Sequence, residues 1–129
     1  MTGFDHEKLD VYRTSIKFVA VADDIVENLP RGRSYLADQL QRAATSIPLN
    51  IAEGAGEYSR KDKARFYRIG LRSGTECAAV LDVCHCLELV DDGRRAAGRD
   101  LLLRIVSMLT RLVRNLGEPG TGTGTGTGT

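Results

Sequence analysis

The chain has no tryptophan, seven other aromatics, three prolines, three cysteines and two histidines in 129 residues. Each shortage excludes something. A core with so few rings must be mainly aliphatic. Few prolines and no regular apolar alternation argue against an all-β chain. No unbroken apolar stretch is longer than Phe18 to Ala22, which is far short of the roughly 20 residues that span a bilayer, so no membrane segment is expected. The opening Met1-Thr2-Gly3-Phe4-Asp5 lacks a basic stretch followed by an apolar one, so no secretory signal is expected either. The cysteines are odd in number and lie between positions 77 and 86. That is unlike a disulfide-stapled secreted domain and fits a reducing cytoplasm. What remains is ordinary: 42% hydrophobic, 27% charged, net charge +1, one domain's worth of chain.

The near-zero net charge hides an asymmetry. Residues 1–29 carry net −3, residues 31–76 net +4, and residues 77–116 net +1. The densest basic segment is Arg60, Lys61, Lys63, Arg65, Arg68 and Arg72, opposed there only by Asp62. Clustered cations are the footprint of a polyanion contact, and a solvated helix face gives the same string.

Apolar residues recur at helical spacing, which predicts an all-α chain of four helices and a tail. A first helix is expected from about Asp5 to Leu29, with Val11, Ser15, Phe18, Ala22, Ile25 and Leu29 in one row. Leu9, Tyr12, Ile16 and Val19 stand beside it. Pro30 and Gly32 stop it. A second helix is expected to start near Ser34 as N-cap, with Leu36, Leu40, Ala43, Ala44, Ile47 and Ile51 inward. Pro48 falls inside it and should kink it rather than end it. Gly54 and Gly56 should close it.

Ser59 and Asp62 read as a capping box for a third helix running to about Val90. Its best seam is Phe66, Gly70, Ser73, Cys77, Val80, Cys84 and Leu87, beside Tyr67, Leu71, Gly74, Ala78 and Leu81. Asp91, Asp92 and Gly93 form the next turn. A fourth helix from about Arg95 to Leu116 points Leu102, Ile105, Leu109, Leu112 and Leu116 inward, with Val106 and Val113 beside them and Gly98 as a weak point. Short connections favour an antiparallel up-down-up-down bundle over residues 1–117. In the remaining low-complexity tail, 118–129, Gly-Thr repeats from Gly120 onward with no apolar side chains to bury, and the tail should be disordered. Broad apolar faces on the first and third helices imply self-association.

Chemistry is sparse. A di-iron bundle needs paired Glu-x-x-His motifs, and only Asp82-x-x-His85 comes near. Cys77 and Cys84 sit on the core seam, where thiols act as small hydrophobes. No nucleotide-binding glycine signature and no nucleophile–base pair is present. No cofactor, metal or catalysis is expected. Glu53 and Glu76 have small or apolar neighbours, and a buried carboxylate must be paired. Arg42, Ser46, Asn50, Glu53, Ser73 and Glu76 are therefore read as one structural polar network between the second and third helices.

The string Gln41-Arg42-Ala43-Ala44-Thr45-Ser46-Ile47-Pro48-Leu49-Asn50-Ile51-Ala52-Glu53-Gly54-Ala55-Gly56 resembles the signature of a bacterial four-helix-bundle family. That family was first noticed in intervening sequences of 23S ribosomal RNA genes and is often called S23-type ribosomal protein. Ser59 to Lys61, then Arg65-Phe66-Tyr67-Arg68 through Ser73-Gly74-Thr75-Glu76-Cys77, continue the likeness, and Phe4 to Tyr12 is similar to the family's usual start. Gly74, Cys77 and the Gly-Thr tail depart from it. The resemblance implies a left-handed antiparallel bundle, homopentamers among several members, and passage of the second helix through Pro48. Ser46 and Asn50 would then serve the backbone groups that Pro48 frees. One branch resembles the accessory variability protein of diversity-generating retroelements, a basic pentamer that associates with a reverse transcriptase and nucleic acid.

Two functions follow as expectations. In the first, Lys61, Arg65, Arg68 and Arg72, at i, i+4, i+7 and i+11, form a stripe that contacts RNA or DNA phosphates, with Arg60 and Lys63 beside it. In the second, an oligomeric scaffold pairs Arg68 or Arg72 with Asp23, Asp24 or Glu27 of a neighbouring copy and binds no nucleic acid.

Overall fold

A computed structural model describes residues 3–117, and the Gly-Thr tail with its expected disorder lies outside them. Four long helices carry the chain: α1 (Asp10–Glu27), α2 (Ser34–Gly56), α3 (Arg60–Cys86) and α4 (Asp92–Asn115). No strand occurs among the described residues. α1 packs on α2 and α4, and α3 packs on the same two helices. Rising numbers on one helix meet falling numbers on its neighbour. Arg60 reaches Leu116, Gly70 faces Leu109, Gly74 faces Val106, and Gly98 faces Leu81. Ser46 meets Ser73, whereas Gly54, later in α2, meets Tyr67, earlier in α3.

The core follows the 4–3 spacing. Val11, Phe18, Ala22 and Ile25 are buried on α1; Leu36, Leu40, Ile47 and Ile51 on α2; Leu102, Ile105 and Leu109 on α4. Thr14 and Ser15 also face inward. Each hydroxyl donates to a carbonyl of the preceding turn, Thr14 to Asp10 and Ser15 to Tyr12, so neither is left unsatisfied.

The helix ends differ from the sequence reading in instructive ways. The first helix does not begin at Asp5. Asp5–Lys8 form a 3-10 turn, Leu9 is extended, and α1 starts at Asp10. The Glu7 carboxylate accepts from the Phe4 N–H at 2.7 Å and the Glu7 carbonyl accepts from Arg13. These local bonds hold the turn against the helix, so the chain needs no continuous helix there. At α2 the N-cap is Arg33, not Ser34, and no side chain caps it. α2 continues through Pro48 to Gly56. Gly54 does not end it; Gly54 is buried in its last turns. Asp91, expected in a turn, instead caps α4 by accepting from the Arg94 N–H at 2.8 Å. Those bonds from Arg94 hold the Asp91 carboxyl below its usual range.

Two core stripes are rotated from expectation. On α3, Tyr67 is buried and Phe66 only half-buried, while Leu87 at the C-cap is exposed. On α4, Val113 is fully buried and Leu112 and Leu116 are half-buried. Gly98 is also a place of close approach. A Cβ there would stand 3.1 Å from Leu81 Cδ1.

α3 ends at Cys86, four residues before Val90, in a Schellman turn. The Leu89 N–H bonds the Cys84 carbonyl at 2.8 Å, and the Glu88 N–H bonds His85 at 3.0 Å. Glu88 sits at φ +57, the left-handed conformation that glycine adopts without steric cost. Glu88→Gly is therefore expected to raise stability by about 1 kcal/mol. Urea unfolding should show a higher midpoint at unchanged slope. A lower midpoint would mean that the Glu88 side chain contributes something the turn geometry does not.

Candidate nucleic-acid interface

α3 starts on a side-chain cap. Ser59 Oγ accepts from the Asp62 N–H at 3.0 Å, which starts the helix immediately before the basic segment, and packing of the core sets its phase. That phase turns Tyr67, Gly70, Leu71 and Gly74 into the core and leaves Lys61, Arg65 and Arg72 exposed, with Arg68 half-buried among them. The Arg65 guanidinium lies over the Phe66 ring, 4.3 Å from its centroid, a cation–π contact that steadies it without neutralising it. No acidic residue occurs between Asp62 and Glu76.

Arg60 and Lys63 do not join this stripe. Arg60 donates from Nη2 to the Asn115 carbonyl at 3.1 Å and from Nε to Leu116 at 3.3 Å. Lys63 Nζ donates to the Ala55 and Gly54 carbonyls at 3.0 and 3.3 Å. Each cation thus binds carbonyls in the last turn of a neighbouring helix, where the macrodipole also favours positive charge. Their role is to tie the start of α3 to the ends of α2 and α4.

The expected polar network is smaller than the sequence reading made it. Ser46 Oγ and Ser73 Oγ are 2.8 Å apart. Asn50 Nδ2 donates to Ser46 Oγ at 2.9 Å and to the Ser46 carbonyl at 2.8 Å. The amide serves Ser46, not Ala44, whose carbonyl is the one Pro48 leaves without a helical N–H. These three side chains cross-link α2 and α3. Arg42, Glu53 and Glu76 are exposed and stand outside the cluster, because the helix phase turns them to solvent. Glu53 instead lines a shallow hollow with Phe4, His6 and Gly56.

Burial pushes the Cys77 thiol up to about 12, with the nearby Glu76 charge adding to it. Burial also raises Cys84 and the Tyr67 hydroxyl. Both thiols are held in their inert, protonated form. Among the described residues no three His, Cys, Asp or Glu side chains come together as a metal site, and no helix is long and apolar enough to cross a membrane.

A second basic row escaped the sequence reading. Arg104, Ser107, Arg111 and Arg114, at i, i+3, i+7 and i+10 on α4, are all exposed. No acidic residue occurs from 101 to 117. Averaging over residues 77–116 hid it, because Asp82, Asp91 and Asp92 offset the charge. The structure spends two of those carboxylates elsewhere: Asp82 pairs with Arg95 at 3.1 Å, and Asp91 pairs with Arg94, which also reaches Asp24. Charge counted along helical rows would have shown it.

The fold and its surface define a class: a four-helix bundle whose distinctive features are a small polar link between α2 and α3 and two outward rows of cations. Residues 7–111 match the family of 23S rRNA-intervening sequence proteins, and the chain belongs to that family. No curated protein matches the chain.

Proposed function

We propose that this protein is an oligomeric accessory protein that binds nucleic acid through the outer face of α3. One observation carries the reading. Lys61, Arg65 and Arg72 are exposed on one face of a helix that has no carboxylate between Asp62 and Glu76. Such a face meets a phosphate backbone through charge, without reading bases, so its affinity falls steeply with salt. Exposed apolar side chains support self-association: Ile16 on α1, Leu49 on α2 and Leu103 on α4 remain outside the core. A second copy would cover such residues, and repetition of the α3 face around an oligomer would multiply its field.

The test is fluorescence anisotropy of labelled RNA and DNA across a salt series, with light scattering to follow assembly. Arg65→Glu/Arg72→Glu is expected to weaken binding by about a hundredfold at low salt. The slope of log affinity against log salt should flatten by about 2, one unit per lost phosphate contact. Absence of binding by the wild-type protein, together with disassembly of the variant, would sink this reading. The same stripe would then be an interface between copies, and the protein a scaffold.

A further inference from the structure

α4 carries a groove beside the start of α1. Two shallow hollows share Met108 and Arg111, which makes them one groove. One reaches Leu112 and, across on α1, Leu9 and Val11; the other runs back along α4 to Leu103. From Leu103 to Asn115 the groove follows about 18 Å of helix, or about three turns. Its apolar side chains are only partly covered. Leu103 is 56% exposed, and Leu9, Met108 and Leu112 are half-buried.

Arg104 and Arg111 line the same groove and are exposed. Among the described residues neither is in an ion pair. Arg94 and Arg95, at the other end of α4, are by contrast spent on Asp24, Asp91 and Asp82. Asp10 is the one carboxylate that lines the groove, and Arg13 pairs with it.

We infer that this groove docks an acidic amphipathic helix of a partner protein. The inference is separate from the nucleic-acid reading of α3 and uses none of its residues. Charge sets the sign of the partner: two unpaired guanidinium groups, beside a carboxylate already paired, favour acidic side chains. The apolar lining sets its class. A phosphate backbone is met by charge and leaves Leu103, Met108 and Leu112 uncovered. A helix that lays apolar side chains between α4 and the start of α1 covers them, with its carboxylates over Arg104 and Arg111. Methionine suits such a groove, because its unbranched thioether adapts to what is laid on it. A second copy of this chain fits less well. The outward row of α1, Ile16, Ala20, Asp23 and Glu27, is acidic but offers one large apolar residue, Ile16.

The chain has two methionines, Met1 and Met108, so methyl-labelled methionine gives an NMR signal from the groove itself. The experiment titrates the full chain with a labelled peptide of Glu and Leu at amphipathic-helix spacing. It follows the Met108 methyl resonance and the anisotropy of the peptide. The control probes are the same peptide with Lys for Glu, the same peptide with Ser for Leu, and a DNA duplex. Each protein variant is checked by circular dichroism and light scattering. The Glu–Leu peptide is expected to shift the Met108 methyl saturably, and the Lys–Leu peptide to leave it unmoved. Arg104→Gln/Arg111→Gln should weaken peptide binding by about tenfold, and Ser for Leu in the peptide by at least about tenfold. Arg65→Glu/Arg72→Glu should leave peptide binding unchanged. A Met108 methyl that the Glu–Leu peptide does not move overturns the inference. Equal binding of the Ser-substituted peptide overturns it too, since the groove would then take any polyanion. A duplex-induced Met108 shift that Arg104→Gln/Arg111→Gln abolishes gives the groove to nucleic acid. Dissociation of the wild-type assembly by Leu103→Ser gives it to a second copy, and either result overturns the inference.

Discussion

Gly54→Val is expected to cost about 3 kcal/mol of stability, at the top of the range for overpacking a filled core. Gly54 is buried near the end of α2, under the ring of Tyr67. A Cβ there would stand 2.6 Å from Tyr67 Cε1, 2.8 Å from Cδ1 and 3.2 Å from the Lys63 carbonyl oxygen. The ring cannot swing away freely, because Tyr67 is itself buried. The carbonyl belongs to helical backbone and moves only with α3. Lys63 adds a second tie, since its Nζ donates to the Gly54 and Ala55 carbonyls. Pushing α2 from α3 therefore breaks contacts of both kinds.

Gly54→Ala should cost less, about 1 kcal/mol, since better helix propensity offsets part of the clash. Gly56 is the internal control. It lies two residues on, is exposed, and has nothing within 4 Å of an added Cβ. Gly56→Ala should be neutral or slightly stabilising, within about 0.5 kcal/mol. Urea unfolding of the three variants checks the order. Equal effects at 54 and 56 would mean that backbone propensity, not the approach of Tyr67, governs this end of α2.

That contrast shows what the sequence made legible. Gly54 and Gly56 look alike in a string of letters, and both read as helix stops. Only the position of Tyr67 separates them, and Tyr67 is brought there by packing. The existence of four helices was readable because side-chain burial repeats with the helical period. The Ser59 cap was readable because its partner lies three residues away. Arg60 and Lys63 were not, because each caps a helix that is remote in sequence or ends before α3 begins. In a list of charges they are indistinguishable from Lys61 and Arg65. The same limit applied to Glu53 and Glu76. Their neighbours in sequence are small or apolar, but the helix phase set by the core turns both outward. Ser46, Asn50 and Ser73 came together as expected of neighbouring helices, because serine and asparagine on the flank of a core stripe find one another readily. The α4 row was hidden by summing charge over a segment instead of along a face.

The core at the other end of the bundle rests on one ring. Phe18 is fully buried on α1, and its ring lies near Gly98 of α4. A Cβ added to Gly98 would be 3.6 Å from Phe18 Cε1 and 3.1 Å from Leu81 Cδ1. Phe18 thus packs where residues of α1, α3 and α4 converge. Among the described residues Tyr67 is the other aromatic that is buried, so aliphatic neighbours must fill whatever Phe18 vacates. Phe18→Ala is expected to cost about 4 kcal/mol, from lost transfer free energy plus a residual cavity. A domain of this size has about 5–15 kcal/mol in total, so the variant should unfold at markedly lower urea.

The cycle with Gly98→Ala locates the origin of that cost. In the wild-type background the new methyl meets Leu81 at the tight end of contact, and only the flexible tip of that side chain must yield. The substitution should change stability by less than about 1 kcal/mol, because the helix-propensity gain offsets the crowding. In the Phe18→Ala background the same methyl borders the cavity and fills part of it. Gly98→Ala should then be stabilising, with a coupling between the two sites of at least about 0.5 kcal/mol. Strict additivity would show that Phe18 and Gly98 act independently. The close approach of α4 to α1 would then be set elsewhere along the helices, and the ring would contribute burial alone.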